Sequence, residues 1–254
     1  MQKVSVNGIS LAYERRGTGA PLLLLHGFPL DHIEWEPLLP HLEDDFDIIM
    51  PDLRGFGQSD APEGAYTVEQ MAADLAALLD SLKIQKTYIV GHSMGGYVTL
   101  AFARAYPERV LGLGMVGSQA AADSAESKAK RYATVSEVAV NGVSAVAGMS
   151  EKLSASPAHV AFFREMILRQ PASGVMGALM AMAERPDSGE LFSTFGFPVI
   201  LVHGLADALI PSERSRQMKE LLPKADLVEL PGVGHSPALE APAETARALS
   251  KFPV

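Results

Sequence analysis

Two hydrophobic periodicities alternate along the chain. Lys3–Val6 and Ser10–Arg15 alternate polar and apolar positions on either side of Asn7-Gly8, and so predict a hairpin closed by a two-residue turn. Pro21–Leu25 is wholly apolar and Asp47–Met50 nearly so, as expected of strands covered on both faces. Trp35–Leu42 between them reads as a short helix. Over Thr67–Leu82 the residues Val68, Met71, Ala72, Leu75, Leu78, Leu79 and Leu82 recur at steps of three and four, which puts them on one helical face. Thr67 with Gln70 supplies a capping box for that helix. Strand Lys86–Val90, helix Met94–Tyr106, stopped by Pro107, and strand Val110–Val116 continue the alternation.

The pattern changes near Gln119. From there to about Thr194 the chain is rich in Ala, Ser and Met, with helical spacing and no run that reads as a strand. Alternation then resumes with Val199–His203, Ser212–Leu222, Asp226–Leu230 and Ala241–Lys251. This order predicts an α/β fold, a doubly wound and mostly parallel sheet interrupted by a helical insertion. The expected division is a core domain formed by 1–118 and 195–254, and a helical cap formed by 119–194.

Composition narrows the chemistry. Of 254 residues, 48% are hydrophobic and 20% charged, enough to build a sizeable core. The net charge of −9, without a Lys/Arg cluster, argues against nucleic acid and anionic membranes as partners. The chain has no cysteine, so disulfides, thiolate nucleophiles and Cys-based zinc sites are excluded. Met1–Ser10 lacks the pattern of a signal peptide, and Val175–Ala183 is too short to span a bilayer. A cytoplasmic enzyme is expected, although the chain would read the same had an export signal been removed. Oligomeric state is not legible.

The sharpest chemical signal is Gly91-His92-Ser93-Met94-Gly95-Gly96, which follows the strand ending at Val90 and opens a helix. A nucleophile on so tight a turn needs small residues two positions before and after it, here Gly91 and Gly95. The turn lifts the Ser93 hydroxyl above the sheet edge. It also sets the Met94 N–H at a helix N-terminus, where partial positive charge favours an oxyanion. With its strand and helix, the segment resembles the nucleophile elbow of the α/β-hydrolase fold superfamily, and the resemblance covers nearly all of the chain. It implies an eight-stranded sheet of order 1-2-4-3-5-6-7-8, a cap after strand six, and an acid and a histidine that follow the serine in the chain.

A serine hydroxyl needs a base within reach. His235, in Gly232-Val233-Gly234-His235-Ser236-Pro237, matches the family's histidine loop, and Glu240-Ala241-Pro242 extends the match. The resemblance places the acid at Asp207, after Val199–His203; the rival position after strand six reads Gly117-Ser118-Gln119 and holds no carboxylate. It places the second oxyanion donor at the Phe28 N–H in Leu25-His26-Gly27-Phe28-Pro29, since Pro29 has none to give. Of the other histidines, His92 should point away from Ser93, His26 and His203 read as structural, and His32, His41 and His159 as surface residues. No ligand spacing such as H-E-x-x-H occurs, and neither metal nor organic cofactor is expected.

Asp52-Leu53-Arg54-Gly55-Phe56-Gly57-Gln58-Ser59-Asp60 is also typical of the family and reads as a bracing loop. Gly112-Leu113-Gly114-Met115-Val116-Gly117 fits G-x-G-x-x-G, but it lies inside a predicted strand, whereas a dinucleotide site needs it in the turn after one.

In the cap, Met176, Met180 and Met182 are candidates to line an acyl pocket, because methionine adapts to irregular apolar shapes. No charged residue recurs there at useful spacing, so an uncharged ester of short to medium acyl chain is expected. The reading is a serine carboxylesterase that works through an acyl-enzyme. Relatives with the same triad hydrolyse enol-lactones or carbon–carbon bonds or make peracids, and some proteins of the fold are non-turnover receptors; these alternatives stay open. Haloalkane dehalogenase and epoxide hydrolase relatives use a carboxylate nucleophile, and position 93 is serine.

Overall fold

A computed structural model of the chain describes every residue except Ala155, in the expected cap, and Val254, in the expected core. Strands β1 (Gln2–Val6) and β2 (Ile9–Arg16) form the N-terminal hairpin. Asn7 and Gly8 both take positive φ, 46° and 79°, as a turn matched to strand twist requires. Then come β3 (Ala20–Leu25), β4 (Phe46–Pro51), β5 (Thr87–His92), β6 (Val110–Val116), β7 (Val199–Gly204) and β8 (Asp226–Leu230). The sheet order is β1-β2-β4-β3-β5-β6-β7-β8, antiparallel at β1–β2 and β2–β4 and parallel from β4 onward. Strand β3 has β4 on one side and β5 on the other, so the winding reverses there. In open α/β sheets a crevice forms at the carboxyl ends of such strands.

Successive residues of a strand face opposite sides of the sheet, and both sides are dry. Leu23, Leu25, Ile49, Ile89 and Leu113 pack on the helices α1 (Val68–Ser81) and α2 (Met94–Ala105). Leu22, Leu24, Ile48, Val90 and Ile200 pack on Trp35, Leu38, Leu249 and Phe252. Each fully buried Leu or Ile stabilises the fold by about 1.5–3 kcal/mol relative to exposure. Helix α1 carries the expected capping box, with the Gln70 N–H donating to Thr67 Oγ1 and the Thr67 N–H to Gln70 Oε1. The segment read as helix Trp35–Leu42 differs. It is a 3₁₀ helix from His32 to Leu38 followed by one α turn, Leu39–Leu42, because Pro37 has no N–H for an α-helical bond.

Between β6 and β7 the described residues form no strand. They build α3 (Ala125–Asn141), a 3₁₀ stretch Gly142–Met149, a short turn Ser150–Leu153, α4 (Pro157–Leu168), α5 (Ala172–Glu184) and a last turn Gly189–Ser193. Val138, Val146, Phe163, Val175 and Met182 join the same apolar cluster as the sheet, so the insertion has no separate core. It is fastened to the Asp52–Asp60 loop and to Tyr66 just beyond it. Tyr66 Oη donates to the Gly174 carbonyl at 2.7 Å, and the Gly57 N–H donates to Gln170 Oε1 at 2.8 Å. A Cβ on Gly174 would collide with the Gly55 backbone.

The Asp52–Asp60 loop is internally braced. Asp52 is fully buried and accepts from the His32 and Gln58 N–H groups. Arg54 donates through Nε and Nη2 to the two oxygens of buried Asp74, both at 2.8 Å. The G-x-G-x-x-G run lies in β6 up to Val116, with Gly117 just past its end, and a Cβ on Gly112 would press on Phe252 and Tyr88, and one on Gly114 on Val90. Among the described residues no helix is long and apolar enough to cross a membrane.

Candidate active site

Ser93 joins β5 to α2 at φ 49°, ψ −112°, a conformation that costs a non-glycine residue on the order of 1–3 kcal/mol. Its neighbours hold it there. The Ser93 N–H donates to the Val116 carbonyl at 2.9 Å, and its own carbonyl accepts from Ser118 Oγ at 2.8 Å. Gly91 and Gly95 are the small residues the turn demands: a Cβ on the first would strike the Gly95 backbone, and one on the second the Leu25 carbonyl. Ser118 closes this cradle. Its sequence position shows only that no carboxylate stands there.

His235 lies in the loop after β8 and Asp207 in the loop after β7. The His235 Nδ1–H donates to Asp207 Oδ2 at 2.7 Å, which leaves Nε2 as the basic atom of the ring. Asp207 Oδ1 accepts from the Leu209 and Ile210 N–H groups at 2.8 and 2.9 Å. His203 Nε2 faces two acceptors, the Ile210 carbonyl at 2.8 Å and Asp207 Oδ2 at 3.3 Å, so it carries a proton and holds the loop. Burial raises the Asp207 pKa, but donors from His203 and His235 and the Ile210 N–H outweigh it, and the carboxyl is held well below its ordinary range. Burial also lowers the His235 pKa. Asp207 opposes this, His92 and His203 reinforce it, and the net shift is below the usual histidine value. Among the described residues no hydrogen bond joins Ser93 Oγ to His235. Such bonds often tighten only when substrate is bound.

The two halves of the site are tied by a chain of buried groups. His92 Nε2 donates to the His235 carbonyl at 2.8 Å, and His92 Nδ1 lies 3.0 Å from Glu34 Oε2. Glu34 Oε1 accepts from the Gly27 N–H at 2.8 Å, one residue before Phe28. His92 is thus engaged on both ring nitrogens and is not among the residues lining the cavity at Ser93. Burial disfavours its charge, yet Glu34 and the His235 carbonyl more than compensate, and its pKa is raised. Glu34 has no motif to announce it; the one signal is a carboxylate beside Trp35 in a run that packs inward. His26 is structural, its Nε2 accepting from the Leu53 N–H at 2.9 Å. Among the described residues neither the Phe28 nor the Met94 N–H has an intramolecular hydrogen-bond partner. Unpaired backbone donors are uncommon inside proteins and suit an incoming oxyanion.

A cavity of about 110 Å³ opens on Ser93, lined by Phe28, Tyr97, Arg131, Met149, Met182, Leu209 and Ile210. Of the three candidate methionines, Met182 is in its wall and Met176 and Met180 are not. At about 100° per residue Met180 lies some 160° around α5 from Met182, and Met176 about 120°, so both face elsewhere. Met149 takes their place. Arg131 is a second correction, since the segment was expected to offer the pocket no charge. Lys128, Lys130 and Arg131 lie within four positions of one another on α3, and spacing alone does not say which turns inward.

A third correction concerns His32, which is buried rather than on the surface, with Nδ1 2.7 Å from Asp52 Oδ1. Asp31, His32 and Asp52 bring ligand atoms within 4.8 Å of one another. Their valences are already used: Asp31 accepts from Arg169 and Gln170, and Asp52 from backbone N–H groups and His32.

The sequence model of the alpha/beta hydrolase fold matches residues 20–242. A solved thermophilic esterase from Thermogutta terrifontis, with malate bound, is 38% identical, covers 99% of this chain and 98% of its own, and superposes with a TM-score of 0.95. Lipase 3 of Moraxella sp. (strain TA144) is 26% identical over 92% of this chain and 78% of its own length. A soluble epoxide hydrolase of Corynebacterium sp. (strain C12) is 39% identical over 114 residues, 44% of this chain and 40% of that protein. The chain thus spans under half of that last relative, and position 93 here is a serine.

Proposed function

Since the chain belongs to the alpha/beta hydrolase fold family, we propose that it is a serine carboxylesterase acting on esters of short to medium acyl chain. One observation carries this reading: a serine held at positive φ on a strand–helix turn, in a chain whose only histidine loop after the last strand is hydrogen-bonded to a buried aspartate. Ser93 attacks the ester carbonyl while His235 Nε2 takes its proton. The Phe28 and Met94 N–H groups hold the oxyanion as the tetrahedral intermediate forms. Asp207 fixes the tautomer of His235 and stabilises its cation. The protonated His235 then gives its proton to the leaving alcohol, and an acyl-Ser93 remains. Water, deprotonated by the same histidine, attacks the acyl carbon and regenerates the serine.

On this reading residues 119–194 act as a lid. They contribute Arg131, Met149 and Met182 to the cavity at the serine, and the small volume there supports short acyl groups. The esterase and lipase relatives support the same reaction class.

A series of p-nitrophenyl esters from acetate to dodecanoate tests the proposal. Steady multiple turnover with the highest kcat/KM between acetate and octanoate is expected. One labelled turnover without release, or a rate that climbs through dodecanoate, would overturn it.

A further inference from the structure

Among the described residues, Arg131 is the one charged side chain in the wall of the cavity at Ser93. Its orientation is built rather than incidental. Arg131 Nε donates to Asp123 Oδ2 at 2.5 Å, and Nη1 contacts Met182 Sδ at 3.4 Å. The other oxygen of Asp123 accepts from Arg185 Nη1 at 2.7 Å. Arg185 is consumed by the protein: it also donates to the Met182 and Ala121 carbonyls and stacks on the Tyr97 ring at 3.8 Å. One carboxylate thus serves two guanidiniums, and the cluster keeps one net positive charge.

That charge is directed at the cavity. Arg185 is 4% exposed and Arg131 23%, so Arg131 presents what the cluster has left over. The rest of the wall is apolar or aromatic: Phe28, Tyr97, Met149, Met182, Leu209 and Ile210. A neutral acyl group would bury the guanidinium edge against hydrocarbon, whereas a carboxylate would pair with it. The adjoining cleft of about 590 Å³ carries Lys130 and Lys152 beside Arg131, against Asp123 and Glu137. Lys130 is paired with Glu126 on the surface, and Lys152 lines only the outer cleft, so Arg131 is the cation that reaches the cavity at Ser93.

We propose that Arg131 receives a carboxylate on the acyl half of the substrate, so that the preferred substrates are half esters of short dicarboxylic acids. The proposal rests on the esterase reading above and names the substrate class of that site. The chemistry is unchanged: the ester carbonyl sits at Ser93, the distal carboxylate at Arg131, and the alcohol leaves toward the wide cleft. A guanidinium–carboxylate pair in a confined apolar cavity is among the stronger polar contacts available to a protein.

The test compares ethyl hydrogen succinate with its neutral isostere, ethyl 4-methylpentanoate, on wild type, Arg131→Met and Arg131→Lys. Wild type should favour the anionic ester in kcat/KM. Arg131→Met should lower the anionic-to-neutral ratio by about tenfold or more, mainly through KM, and Arg131→Lys should recover part of it. Should the Met variant misfold, wild type alone decides. Free succinate should inhibit hydrolysis of the neutral ester competitively, and added salt should relieve that inhibition. An unchanged ratio in a folded variant, or no inhibition by succinate, overturns the proposal while leaving the esterase reading intact. Hydrolysis of neither ester overturns both.

Discussion

Glu34 and His92 face each other across 3.0 Å beneath the site, and each holds a different half of it. Glu34 fixes the Gly27 N–H at the foot of the Phe28 loop, and His92 fixes the His235 carbonyl. His92 Nε2 must carry a hydrogen to reach that carbonyl, so a second proton lies between Nδ1 and the carboxylate. On the proposed mechanism the pair positions the site without taking part in the chemistry, since Glu34 and His92 bond to the Gly27 N–H, to each other and to the His235 carbonyl.

Replacing Glu34 by its amide should therefore act on rate more than on binding. Glu34→Gln keeps the shape but removes the charge that supports protonated His92. That ring stands 4.8 Å from the His235 ring, centroid to centroid, and its positive charge holds the His235 pKa down. We expect kcat to fall about ten- to a hundredfold, the scale of small misplacements of reacting groups, with KM little changed. The acid limb of the kcat/KM profile should move to higher pH. A folded variant with wild-type kcat and an unmoved limb would count against the assignment.

The wild-type pH profile makes its own prediction. His235 must be neutral to act as a base, so activity falls as pH drops through its pKa. Burial, with His92 and His203 nearby, outweighs Asp207 and sets that pKa below the ordinary 6.5. The acid limb of kcat/KM should accordingly have its midpoint below 6.5, measured with a substrate that does not titrate in that range. A midpoint above that value would show that Asp207 dominates instead.

Stability of the bracing loop should depend on Arg54 and Asp74 as a unit. Both side chains are buried, at 10% and 2% exposure, and Asp74 also accepts from Asn7 Nδ2 at 3.0 Å. Arg54→Met leaves a buried carboxylate without its cation and should cost about 3–5 kcal/mol in urea unfolding. The double variant Arg54→Met/Asp74→Leu should recover much of that loss, because no uncompensated charge remains. Additive losses in the two single variants and the double would mean that the pair does not act as a unit.

Much of this was legible in the chain because it follows from local rules. Strands Val110–Val116 and Asp226–Leu230 have the bounds that their apolar runs predict, and the Thr67–Gln70 box caps the helix it was expected to cap. Ser93 stands out because a tight turn between small residues surrounds it, whereas His235 and Asp207 are placed by the resemblance of their loops to the family's. What stayed hidden depends on packing between distant segments. His32 meets Asp52 only after the 3₁₀ helix folds against the loop, and Glu34 meets His92 across 58 positions. The cap is the least legible part. Helical spacing identifies its helices but not their rotation, so it does not separate Met182 from Met176 and Met180 or show that Arg131 turns inward.

The central claim is that Ser93 carries the acyl group, and trapping that species tests it most directly. Wild type should be mixed with a p-nitrophenyl ester, quenched in acid within the first turnovers, digested and read by mass spectrometry. The peptide containing Ser93 should gain the mass of the acyl group, and Ser93→Ala should show neither the adduct nor more than a residual rate, about a thousandth of wild type or less. Acylation at another residue, or a Ser93→Ala protein that still turns over the ester at the wild-type rate, would contradict the account.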